Sequence, residues 1–154
     1  MNQDPVTPPA PAARFEYIAA ALLLRLFLGL RTVLAGFDKF ESGGTYSLAN
    51  YAKNMARMAT GITGASFLPL WATKLFAFSL GYVLIVLGAA LLLGLKPRCI
   101  LFVTGLVYVG LSFGLMDVQD NEGVAWLATH VGLFAGALAL VRYNRLCLWP
   151  DRSC

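Results

Sequence analysis

An apolar run near the start of the chain, residues 17–37, carries two arginines, and that combination limits what the sequence can become. A spanning helix needs about 20 mostly apolar residues, because the hydrocarbon core is about 30 Å thick and a helix rises about 1.5 Å per residue. Residues 17–37 meet that length. An arginine at the helix centre costs about 3 kcal/mol on the insertion scale. Arg25 and Arg31 therefore need partners or a polar interior, which places this helix inside a bundle rather than alone in lipid.

The rest of the chain fits an all-α integral membrane protein. Of its 154 residues, 58% are hydrophobic and 13% charged. Soluble domains run at about 45–50% apolar and about 25% charged. Three further spans follow at about residues 70–95, 99–116 and 123–141, giving a four-helix transmembrane bundle. The membrane domain covers residues 15–146, with a Pro/Ala-rich tail at 1–14 and a short tail at 147–154.

Between the first two spans, Leu48, Tyr51, Met55, Met58 and Ile62 recur at helical spacing, with Asn50, Lys53, Asn54 and Arg57 between them. This pattern predicts an amphipathic helix, lying in the membrane interface or covering one side of the bundle. Gly29, Gly36, Gly81 and Gly88 sit where helices can touch. Gly110/Gly114 and Gly132/Gly136 form two GxxxG pairs, which permit close backbone approach in lipid.

Arg14, Lys96, Arg98, Arg142, Arg145 and Arg152 fall on one side of this topology, and the acidic stretch Asp117, Asp120 and Glu122 on the other. Lys39, Lys53, Arg57 and Lys74 in the first loop weaken the bias, and the positive-inside rule still favours both termini in the cytoplasm. No basic cluster suits nucleic acid. Cys99, Cys147 and Cys154 form no CxxC, so no zinc knuckle or covalent haem is signalled. A reducing cytoplasm argues against a disulfide between Cys99 and Cys147. The acidic loop reads as solvated, and no metal site is expected.

Candidate chemistry lies on the first and fourth spans. At 100° per residue, Arg25 shares a face with Gly29 and Gly36, whereas Asp38 falls within about 20° of Arg31 and can pair with it. His130 is the only histidine. Counted from opposite ends, Arg31 lies about 21 Å and His130 about 20 Å from the same surface, so the two are level. Arg31, His130, Asp38 and Lys39 would line a polar pocket with Arg25 as its floor. Such a pocket suits a quinone head group, with cations at the carbonyl oxygens and a histidine to carry a proton. Alternatively the arginines bond to backbone carbonyls and Asp38, and His130 is a satisfied core residue. Tyr82, Tyr108 and Trp126 can stack on a ring, or fill the core.

Arg25-Leu-Phe-Leu-Gly29, followed by Gly36-Phe-Asp-Lys39-Phe40, resembles the first-helix signature of the DoxX/DoxD-like membrane proteins. The Gly-rich end of the second span with its basic turn, residues 87–99, and Asn144-Arg145-Leu146 after the last span are similar to that family too. The resemblance implies a four-helix membrane bundle. It also implies a small subunit of a quinone-linked oxidoreductase or redox complex in the bacterial inner membrane, with Arg25, Gly29, Gly36 and Lys39 as family positions. Such a subunit is non-catalytic or offers a quinone-facing pocket, and works with membrane lipids and other membrane or redox subunits. The alternatives are a structural or assembly subunit of a larger complex, and a small transporter or ion-conducting homo-oligomer.

Overall fold

The computed structural model describes residues 15–117, 119–144 and 147–148. The 1–14 tail and most of the 147–154 tail lie outside these residues. Five α-helices follow one another: α1 (Phe15–Phe37), α2 (Leu48–Ala65), α3 (Leu70–Leu93), α4 (Pro97–Asp117) and α5 (Asn121–Ala139). All but α2 are long and apolar enough to cross a membrane, which makes this a multi-pass membrane protein. Short 3-10 turns follow α1 at Asp38–Phe40 and α5 at Val141–Tyr143.

Local chemistry sets the boundaries. Gly94 takes the left-handed conformation at φ 68°, so α3 stops at Leu93 rather than running on to 95. Pro97 opens α4, where a missing N–H costs nothing. The Asp120 carboxylate accepts the Gly123 N–H at 3.0 Å, so α5 starts inside the acidic stretch rather than after it. Gly43 and Gly44, at φ 61° and 78°, close a two-residue hairpin between β1 (Glu41–Ser42) and β2 (Thr45–Tyr46).

The helices form two closely packed pairs, α1 with α3 and α4 with α5, which meet each other more lightly. The core between them is built on Leu28, Leu80, Leu84, Leu91, Leu101, Tyr108 and Phe134. Four glycines make the α1–α3 contact. A Cβ on Gly88 would lie 2.6 Å from the Val33 backbone nitrogen, and one on Gly36 would lie 3.0 Å from the Gly81 carbonyl oxygen. Gly29 meets Leu92 and the Gly88 carbonyl in the same way.

The GxxxG pairs behave differently. Gly110, Gly132 and Gly136 have nothing within 4 Å of where a Cβ would sit, and Gly114 meets only Ile62 at 3.7 Å. They are therefore not packing sites within the described residues. A repeat of small residues permits close approach without supplying a second helix.

α2 packs on α3 through Tyr51, Met55, Ala59 and Ile62. The Tyr51 ring lies across Gly81, stacks on Phe40 at 4.3 Å and donates its hydroxyl to the Phe78 carbonyl at 2.7 Å. Burial pushes the Tyr51 phenol up from its ordinary pKa. Thr63 and Thr73 hydroxyls join α2 to α3 at 2.6 Å.

Candidate functional site

The two helix pairs part at one end of the bundle, the end away from residues 15 and 144. There they enclose a cavity of about 760 Å³, within the range of small-molecule sites. Its walls come from the end of α1, the following turn, α2, the start of α3, the end of α4 and the start of α5. α2 closes one side with Asn54, Met55, Arg57, Met58, Gly61 and Ile62.

Arg31, Asp38, Lys39 and His130 all line this cavity. Arg31 Nη1 stands 3.9 Å from Asp38 Oδ2, and both side chains are largely exposed, so the pair itself contributes little. The turn carrying Lys39 is held from α2, where Asn54 Nδ2 donates to the Lys39 and Glu41 carbonyls at 3.2 and 2.9 Å. Arg31, Lys39 and Arg57 share the wall with one carboxylate, Asp38, which leaves the mouth positive.

His130 is only 4% exposed. Its Nδ1 lies 2.7 Å from the Trp126 carbonyl, which can only accept, so the neutral ring carries its proton on Nδ1. Nε2 is then a buried lone pair with no partner among the described residues. The ring stacks against Tyr108 and Phe27 at centroid distances of 5.6 and 6.4 Å. Tyr108 is oriented in turn: Thr32 donates to the Leu28 carbonyl at 2.6 Å, so the 3.3 Å bond between the two hydroxyls is donated by Tyr108.

Arg25 is not the floor of the cavity. It is buried, and its Nη1 donates to Asn144 Oδ1 at 2.7 Å and to Cys147 Sγ at 3.4 Å, past the end of α5. The reason is geometric. Arg25 lies about 9 Å below Arg31 along the axis, and helical side chains lean toward the N-terminus, away from the cavity. Replacing Asn144 with Ala should cost about 1.5–3 kcal/mol, because the lost bond involves a charged donor, and should lower the thermal unfolding midpoint in detergent.

Tyr108, Trp126, Asn54, Arg57, Met55 and Met58 complete the site. Met55 and Met58 belong to the apolar stripe of α2 and Asn54 and Arg57 to the polar residues between, but nothing in that pattern says what it faces. Tyr82 packs on Phe40 and Tyr51 instead. Cys147 Sγ donates to the Asn144 carbonyl at 3.3 Å. Cys99 is disulfide-bonded. Among the described residues no three His, Cys, Asp or Glu side chains gather as a metal site would require.

A second, smaller cavity of about 230 Å³ adjoins the first and shares Ile62, Phe76 and Gly114 with it. Leu68, Ala72, Thr73, Gly110 and Phe113 complete its apolar walls between α2, α3 and α4. The GxxxG of α4 thus lines a groove rather than a helix contact.

No protein-family model, curated protein or solved structure matches the chain.

Proposed function

We propose that this protein is a small membrane subunit that holds a quinone head group in the cavity between its helix pairs, with the isoprenoid tail in the adjoining groove. The observation that carries this reading is the join between a positive, aromatic-lined cavity and an apolar groove. Together they match a polar ring on a hydrocarbon chain. Arg31 and Lys39 supply donors for the quinone oxygens, and Tyr108 and Trp126 supply ring faces. The resemblance to the DoxX/DoxD-like proteins supports the same reading. Of its signature residues, Arg25 anchors the segment after α5, Gly29 and Gly36 seat α1 on α3, and Lys39 lines the cavity.

α2 serves as an interfacial helix that roofs the cavity. The distribution of basic residues supports an orientation with both termini in the cytoplasm, and the resemblance supports a bacterial inner membrane. Labelling cysteines from each side tests that orientation.

The test is purification in mild detergent followed by solvent extraction. One prenylquinone per chain, or stoichiometric redox subunits, supports the reading; a bare chain that takes up no added quinone contradicts it. Gly110→Leu refines it. Leucine fills open space in the groove and favours the helix by about 1 kcal/mol. Affinity for a long-tailed quinone should fall about tenfold, with a short-tailed analogue unaffected.

A second reading, a subunit that docks on a larger complex, is favoured by α5. Its outward face carries Ala125, Ala128, Gly132, Ala135 and Ala139, all exposed. Small residues in that register admit a neighbouring helix. The two readings are compatible in one subunit.

A further inference from the structure

We propose that the site selects the reduced form of its ligand: it binds the hydroquinone more tightly than the quinone, because His130 Nε2 is fixed as a hydrogen-bond acceptor. This inference rests on the quinone reading above and specifies the ligand's redox state.

The Trp126 carbonyl takes the Nδ1 proton at 2.7 Å, which leaves Nε2 with a lone pair. That atom is buried and has no partner among the described residues. A buried acceptor without a donor is costly, so a ligand that brings a donor gains more than one that brings only acceptors. The surrounding residues cannot turn the ring over easily. Phe27 and Tyr108 stack on it, and Trp126 packs at 6.0 Å.

The neighbouring cations have the opposite polarity. Arg31, Lys39 and Arg57 donate only, the Tyr108 proton is committed to Thr32, and the Asp38 carboxylate, the one acceptor of like kind on the wall, stands against Arg31 at 3.9 Å. A quinone presents two carbonyl acceptors, which satisfy the cations and leave Nε2 bare. A hydroquinone presents two hydroxyls. Each accepts from a cation through its lone pairs, and one can also donate its proton to Nε2. The difference is one buried neutral hydrogen bond, or about tenfold in affinity.

The only histidine in the chain makes the test direct, since ¹⁵N-histidine labelling reports His130 alone. The labelled protein in detergent micelles should show a protonated, pyrrole-type Nδ1 and a bare, pyridine-type Nε2. A short-tailed benzohydroquinone under argon should shift the Nε2 signal. The matching quinone and the hydroquinone dimethyl ether, which has no O–H, should not. In parallel titrations the hydroquinone should bind about tenfold tighter than either, and His130→Phe, which keeps the ring stack, should equalise the three. Equal binding of hydroquinone and quinone with an unmoved Nε2 signal overturns the selectivity and leaves the quinone site standing. A proton on Nε2 in the free protein overturns it as well. Failure of all three to bind overturns the quinone reading and the selectivity with it.

Discussion

The Arg31→Leu/His130→Ala double variant should lose hydroquinone affinity by about 100-fold or more. Arg31 offers a charged donor, worth about 1.5–3 kcal/mol when its hydrogen bond is lost, and His130 about one further kcal/mol. Each 1.4 kcal/mol is tenfold in affinity. The fold should tolerate Arg31→Leu, because that side chain is half-exposed and its ion pair with Asp38 is long at 3.9 Å. His130→Ala removes a ring from the Phe27–His130–Tyr108 stack, so the helical circular dichroism of the double variant serves as the control. Arg25→Gln provides the contrast. It weakens the anchor to Asn144 and Cys147 at the other end of the bundle and should leave quinone affinity within a factor of two or so.

The largest effect on stability should come from Gly88→Ala. Its new methyl would stand 2.6 Å from the Val33 backbone nitrogen and 2.9 Å from the Gly29 carbonyl oxygen. Neither is the movable end of a side chain, so α1 and α3 must separate. Overpacking of this kind costs about 1–3 kcal/mol, and more where backbone must move. The loss also falls on the most extensive helix contact in the molecule. Gly132→Ala makes the same chemical change on α5 in open space. Helix propensity alone then predicts a gain of about 1 kcal/mol. Thermal unfolding in one detergent should move in opposite directions for the two variants. Equal shifts would show that the α1–α3 contact is not what holds the bundle.

The spans were legible because a bilayer fixes helix length, and Gly94, Pro97 and Asp120 adjusted their ends by only a few residues. That Arg31 and His130 could border one cavity was legible for a related reason: the rise per residue converts sequence position into an expected depth. The partner of Arg25 was not. Asn144 and Cys147 stand 119 and 122 residues away, and no local pattern announces that the segment after α5 turns back to it. Nor did spacing distinguish Gly88, pressed against Val33, from Gly110, which borders a groove. Both are small residues on apolar helices, and only the neighbouring element decides which role each takes. The hairpin at Glu41–Tyr46 was too short to show a period. The lone pair on His130 was hidden most deeply, since it follows from the Trp126 carbonyl taking the proton on the other nitrogen.

Photolabelling with an azidoquinone shows whether a quinone head sits between the two helix pairs. Adducts should map to cavity residues such as Met58, Tyr108 and Trp126, and should vanish when an unreactive short-tailed quinone is added in excess. Adducts scattered over outward-facing residues such as Leu23, Val86 and Phe102, unaffected by the competitor, would contradict it.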